Sequence, residues 1–573
     1  LHQKSKLKRT IMRQLKTYAA RLVLVAITGS LFILSSCNSD EDPIFGEPTI
    51  VVTASAAEQI PGGKITYSIA VVAEGGLAKV DLDGTEIKSY TTTTNSDAFT
   101  FEYTVPANET LGDKSLVFTV TDNQATAKTG SESVALKVTK TPTPTITVTG
   151  VITTNTTWSK DAYYLLKGNV YVQAPAELTI DPGVIIYGDK LEKGALVVNR
   201  GAKIHAKGTA AAPIIFTSAA PAGSRSYGDW GGVVILGKAQ NNQAVKQKIE
   251  GISTSAQDGE DGYYGTGTTA GDTQFNTSSS GEFYYCRIEF AGIALSTDNE
   301  LNGLTLGSVG SGTVLHHIQV SYSGDDSYEW FGGTVNATHL VAYRGWDDDF
   351  DTDFGYSGNV QYGVAFRDPN LADKSGSNFF ESDNDGAGSA LTPKTSVKFS
   401  NMTWYGPYVY ASLSGSAASS NYQYGGHLRR NSDIQVYNSV FLGSKLEGIH
   451  FDKTGADAVV KGNYFGKIGV SVSKAAMKET AGNNYVATNF ITDNRFAADQ
   501  GTVDLSTVFA GMTAAMNIDA PTAMLATGSP LLTGAATVPA SLTQKDYVGA
   551  FDATTNWMTG WTNFDPINTV YKY

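Results

Sequence analysis

Two cysteines in 573 residues, Cys37 and Cys286, leave this chain without a disulfide framework. Cations are also scarce. The 42 Lys and Arg stand against 55 Asp and Glu, a net charge of −13. Seven of those cations fall in the first 37 residues, which contain no acid, so the remaining 35 against 55 leave about −20 for the rest. A balance this acidic repels nucleic acid and anionic headgroups, which disfavours a nucleic-acid partner. It also means that an acidic polysaccharide would have to be held through a cation. The apolar run Leu22 to Leu34 is too short to span a bilayer. Beyond residue 146 helical periodicity is nearly absent, and no recognised catalytic signature occurs.

The short apolar run reads as part of a leader. Met12-Arg13-Gln14-Leu15-Lys16 and Arg21 form a basic region before it, and residues 1–11 read as upstream sequence. Leu34-Ser35-Ser36-Cys37 resembles a bacterial lipobox, which predicts cleavage before Cys37 and lipidation of its thiol. Asn38-Ser39-Asp40-Glu41-Asp42 follows and is similar to the acidic signal that sends lipoproteins of Bacteroidota to the outer face of the outer membrane. The expected location is the outer membrane, lipid-anchored and facing the exterior, with residues 38–46 as an acidic tether.

Residues 47–140 alternate in period two, as in Lys64-Ile65-Thr66-Tyr67-Ser68-Ile69 and Ser115-Leu116-Val117-Phe118-Thr119-Val120, with turn residues between. This predicts an immunoglobulin-like β-sandwich. Residues 141–145, Thr-Pro-Thr-Pro-Thr, form a stiff linker. The next signal is a repeat. The stretch from His316 to Asp326 aligns with Thr338 to Asp348 at a separation of 22 residues, placing His317 over His339, Asp326 over Asp348 and Glu329 over Asp351; a third copy at Val360–Phe366 reads as a further 22. Short strands and polar turns at a fixed period predict a parallel β-helix, in which each rung buries its apolar side against the next. The fold class is all-β: a sandwich, then a right-handed parallel β-helix over residues 146–510, then a capping segment over 511–573. Cys286, in Phe283-Tyr284-Tyr285-Cys286-Arg287-Ile288, is expected to be buried packing.

Leu178-Thr179-Ile180-Asp181-Pro182-Gly183, Ala195-Leu196-Val197-Val198-Asn199 and Gly228-Asp229-Trp230-Gly231-Gly232-Val233 resemble the right-handed parallel β-helix lipoproteins of Bacteroidota, a pectate-lyase-like superfold. The likeness continues to Trp557-Met558-Thr559-Gly560-Trp561. It implies a surface lipoprotein serving an outer-membrane uptake system, and no particular reaction.

Chemistry concentrates in the acidic turns: Asp325, Asp326 and Glu329 in one rung, then Asp347, Asp348, Asp349, Asp351 and Asp353 in the next. Rungs stack about 4.8 Å apart. Two carboxylates at that distance repel by about 1 kcal/mol in water and about 3 kcal/mol at an effective dielectric of 20. A hard cation relieves this, and oxygen-rich flexible turns favour Ca²⁺; the alternative is that the carboxylates splay into solvent beside Arg344 and Arg367. No organic cofactor is expected. Stacked His317 and His339 read as a solvated pair rather than a Zn²⁺ site. Trp330, Tyr343 and Trp346, with Tyr328, are candidates for contacts to sugar rings or for packing between rungs. Residues 240–280, a long Gly-, Ser- and Asp-rich excursion, either cover or complete a site or extend into solvent.

Three functions follow. A non-enzymatic surface lipoprotein binding a glycan, another extracellular ligand or an outer-membrane transporter is the leading one. A Ca²⁺-dependent polysaccharide lyase using Arg344, Arg367 or Lys394 as base, or a glycoside hydrolase using two of the Asp residues, is the enzymatic alternative, and it rests on fold analogy. An adhesin is the third.

Overall fold

The computed structural model describes residues 45–252, 261–266, 270–296, 299–409, 418–466, 477–481, 489–497, 505–511 and 517–572. The leader, the lipidation residue Cys37 and the tether up to residue 44 lie outside the described residues, as does Met512–Met516. The chain divides at Pro142/Thr143 into two compact units.

The first unit contains a three-stranded antiparallel sheet, Thr49–Ala54, Lys64–Val72 and Ser96–Thr104. A second sheet has five strands in the order Glu58–Gln59, Thr129–Val138, Gly112–Asp122, Leu77–Leu82, Thr85–Ser89. Strict alternation explains the single core. In Lys64–Val72 every second side chain is buried, and Ile65, Tyr67, Ile69 and Val71 join Val80, Phe118 and Val120 in one apolar cluster.

The second unit is a parallel β-helix. Among the described residues its strands form one parallel sheet of 11 strands and another, bent, of 18, beside two short antiparallel pairs. The first strand, Thr145–Val148, already pairs with Tyr163–Leu166, so the coil begins inside the predicted linker. The 22-residue register holds between Val314–Ser321 and Asn336–Tyr343 and between Tyr328–Phe331 and Phe350–Asp353. The next step is 23, with Ala337 beside Val360 and Tyr343 beside Phe366. The turn after Asp353 carries one more residue than the turn after Phe331, which displaces the third copy. Cys286 is buried, in line with its apolar strand, and burial pushes its thiol well up.

The bend of the larger sheet has a local cause. Tyr285, His317, His339, Tyr362, Asn401 and Asn438 succeed one another rung by rung, and each has φ between 46° and 65°. One left-handed residue per rung turns the strand through a corner and sends its side chain out of the alternation. The rings of Tyr285, His317 and His339 stack at 4.4 Å spacing.

This stack is not solvated. Residues 517–572, expected to cap the final rung, instead run back along the outside of the larger sheet. Pro530 and Thr533 accept from Arg495, Tyr547 from Asn401, and Asn563 from Gln319. Near the end Tyr571 donates to Glu289 and Arg225 donates to Thr569. Trp561 and Trp557 lie edge-on to His317 and His339, at 5.7 and 5.1 Å. Burial and the neighbouring imidazole charges lower His317 to about 3, and burial above all lowers His339 to about 4.

Asn438 joins this strap to the bend. Its Nδ2 donates to Ala536 O at 2.9 Å and its Oδ1 accepts from Ala536 N at 2.7 Å. Asn438→Ala is expected to lose about 2 kcal/mol, because alanine dislikes left-handed φ and the strap's peptide groups lose their partner. Urea unfolding checks this, and Asn438→Gly, which suffers only the second effect because glycine accepts left-handed φ, should lose less.

Candidate functional site

On the outer face of the 11-stranded sheet, period two alternates apolar residues inward with charged ones outward. Phe350 and Thr352 are buried, whereas Asp351 and Asp353 point out. Parallel register then stacks Glu329, Asp351 and Glu381 in one column. Turns at the start of these strands add Asp325, Asp326, Asp347 and Asp348, and the excursion before residue 252 adds Glu250.

Together these eight carboxylates, with Ser375, Gly376 and Arg429, line a cavity of about 200 Å³. Two triads have one oxygen from each member within 4.8 Å of the others: Asp325, Asp326 and Asp347, and Asp326, Glu329 and Asp351. Asp326 belongs to both. Its Oδ1 accepts from the backbone N of Asp348 at 2.8 Å. Ser375 donates to Asp347 at 2.8 Å, the backbone N of Asn378 donates to Asp348, and Asn302 donates to Glu329 and to Glu250. The one guanidinium, Arg429, is paired with Glu381 and Asp383.

Burial dominates the electrostatics, followed in most cases by repulsion between the acids. Desolvation and Asp348 raise Asp347 to about 8, and desolvation raises Glu381 to about 8 against the pull of Arg429. Asp325, Asp326, Glu329, Asp348 and Asp351 are all pushed well above the ordinary carboxylate range, with burial the largest cause. At neutral pH such a cluster takes up protons or a cation. Oxygen donors alone, several of them carboxylates, suit a hard divalent ion such as Ca²⁺.

The cavity opens onto a groove of about 800 Å³, with Asp325, Asp347 and Ser375 lining both. Tyr227 and Trp346 meet edge to face at 5.4 Å in its wall, and Lys190, Lys374 and Ile293 also line it. Its floor needs glycine: a Cβ on Gly292, at φ +87°, would sit 2.4 Å from the backbone N of Gly324.

Other sequence candidates lie elsewhere. Asp349 points into the coil and pairs with Arg367 at 2.9 Å; burial raises it to about 6 despite that guanidinium. Asp353 faces outward but does not line the cavity, and burial with Asp383 raises it to about 8. Trp330 and Tyr343, candidates for ligand contact, are buried: Trp330 stacks on Tyr356, and Tyr343 donates to Phe564 O beneath the strap. Tyr328 is buried as well, its hydroxyl donating to Ile318 O. Only Trp346 of that group reaches the groove.

The bases named for a lyase are also displaced. Arg344 is clamped between Asp368 and Asp519, both at 2.5 Å. Arg367 is fully buried. Lys394 is held by Asn431 at 2.7 Å and Asp433 at 3.5 Å. None of the three lines the cavity or the groove.

Glu250 and Glu381 escaped the sequence reading. Glu381 lies 30 residues after its neighbour Asp351, because residues 367–379 lengthen the turn. A signal was nevertheless present: Phe350-Asp351-Thr352-Asp353 recurs as Phe380-Glu381-Ser382-Asp383. Glu250 comes from the long excursion, whose sequence gives no register.

No curated protein and no solved structure matches the chain. Residues 150–562 match the sequence model of the pectate-lyase-like β-helix domain, and the chain belongs to that family.

Proposed function

We propose that this is a lipid-anchored cell-surface protein whose β-helix binds a glycan through a Ca²⁺ ion held by the acidic cavity. The observation that carries this reading is the junction: Asp325, Asp347 and Ser375 belong to both the cavity and the aromatic-walled groove. A cation seated there offers a ligand's hydroxyl or carboxylate oxygens a coordination position, while the faces of Tyr227 and Trp346 suit sugar rings. Lipidation at Cys37 supplies the anchor, and the two-sheet unit, read as an immunoglobulin-like domain, acts as a spacer. An outer-membrane transporter is the partner to which a captured glycan would pass. An adhesin uses the same features without a small ligand.

Asp326 is the residue to change first. Calcium titration of Asp326→Asn should show at least tenfold weaker affinity, ~1.4 kcal/mol. Trp346→Ala should keep Ca²⁺ affinity and lose binding on a glycan array. If Asp326→Asn binds Ca²⁺ as the parent does, the cavity is not the cation site.

A glycoside hydrolase is the second reading, favoured by Asp347, a carboxyl raised to about 8 at the groove's edge, as a general acid requires. The two readings exclude each other there. Ca²⁺ would displace that proton, so a hydrolase of this kind releases reducing ends only when Ca²⁺ is removed.

A further inference from the structure

The outward column that carries Glu329, Asp351 and Glu381 changes chemistry at its far end. His427 follows Glu381 in register, and His450 follows His427. Their rings lie nearly parallel, 6° apart, with centroids at 4.9 Å. Asp452, two residues beyond His450 and therefore on the same face, approaches His427 Nε2 at 3.4 Å. One donor atom from each of the three lies within 4.8 Å of the others.

Each imidazole has a polar neighbour for one ring nitrogen and a second nitrogen to give. His427 Nδ1 faces Glu381 at 3.6 Å. His450 Nε2 meets Thr480 Oγ1 at 3.0 Å, which leaves Nδ1 buried and without a hydrogen-bond partner in a residue only 5% exposed. A buried ring nitrogen left unpaired is costly unless something else uses its lone pair.

We infer that His427, His450 and Asp452 form a site for a borderline transition metal of the Zn²⁺ class, distinct from the oxygen-lined cavity. Two imidazoles and one carboxylate match the donors that zinc takes, whereas Ca²⁺ avoids nitrogen. Tetrahedral ligands at about 2.0–2.2 Å stand roughly 3.4 Å from one another. The His427–Asp452 pair is already at that separation, and His450 has to close the remaining distance. Glu381 lies on the Nδ1 side of His427 at 3.6 Å, where carboxylates stand behind metal-bound histidines. Lys478, next in register, donates to the Tyr424 hydroxyl at 2.8 Å.

The test is Zn²⁺ titration of the full chain in excess Ca²⁺, which occupies the carboxylate cavity, followed by Co²⁺ substitution read by absorption. One Zn²⁺ per chain is expected, with a Co²⁺ spectrum of nitrogen–oxygen ligation. His427→Gln and Asp452→Asn should each weaken Zn²⁺ by tenfold to a hundredfold, and Asp326→Asn should leave it unchanged. His450→Gln alters a buried side chain, so the two less buried positions, His427 and Asp452, carry the test, with circular dichroism confirming their fold. Zn²⁺ affinity that survives both substitutions, or that is lost in Asp326→Asn instead, overturns the assignment. The reading of the cavity stands or falls separately, on Ca²⁺.

Discussion

With divalent cations chelated, the β-helix should lose thermal stability as pH is raised from about 6.5 to about 8, above the range in which its buried imidazoles contribute, and saturating Ca²⁺ should abolish the loss. Asp347, Asp353 and Glu381 titrate near 8 in the folded chain, against about 4 when unfolded. Across that window the folded protein holds protons that the unfolded chain has released. The acids' contribution therefore falls with rising pH, fully present below about 4 and lost as pH passes through 8, whereas His317, His339, His427 and His450, lowered to about 3–4, act in the opposite sense only below about 6.5. Ca²⁺ reverses the sign of the experiment, because it competes with those protons and binds more tightly as they leave. At 100 times its dissociation constant it adds about 2.7 kcal/mol, and that gain should be largest at the alkaline end and small near pH 5. The N-terminal unit contains none of these carboxylates and unfolds as an internal reference. A cation-free midpoint that is flat or rises between about pH 7 and 8 would show that the acids are not desolvated as described.

The second large effect is at Arg367. Its guanidinium and the Asp349 carboxylate expose no surface and pair at 2.9 Å. The same group donates to the carbonyls of Trp346 and Asp347, and its Nε donates to Tyr422. Arg367→Met leaves Asp349 buried without its partner, and should cost about 3–5 kcal/mol. Combining it with Asp349→Leu removes the orphaned charge and should recover a good part of that loss, since apolar replacements of a buried pair are often neutral. Denaturant midpoints for the two single variants and the double variant give the coupling directly. A cost below about 1 kcal/mol for Arg367→Met would refute the pair's role. Because Arg367 holds the backbone of the acidic turn from beneath, its loss should also weaken Ca²⁺ binding, an effect that Asp349→Leu cannot restore.

The coil was legible because it is repetitive: the 22-residue echo between the His317 and His339 rungs reports a register that backbone pairing then fixes. The same regularity explains what was missed. Glu381 and the His427–His450 pair sit in that column too, but longer turns precede them, and a fixed period steps past them. At the bends His317 does face outward, but sequence alternation could not show that Trp557 and Trp561 of a distant segment would cover it. Trp330 and Tyr343 look like ligand contacts in sequence because an aromatic residue beside an acidic turn reads the same whether it faces out or in. No periodic signal marks residues 517–572, whose role is set by partners such as Gln319, Asn401 and Asn438, over a hundred residues or more away in several cases.

Those distant partners bear on how the molecule comes apart. A stack of rungs with only nearest-neighbour contacts can fray from either end, one coil at a time. Here the final residues, through Tyr571 and Thr569, grip Glu289 and Arg225 near the early coils, after passing over most of the rungs between. Unzipping from the late end must first peel this segment away, and loosening the early coils releases it too, so the two ends fail together. Docked in this way the segment acts as a seal, and the coils beneath it are expected to unfold as one cooperative block.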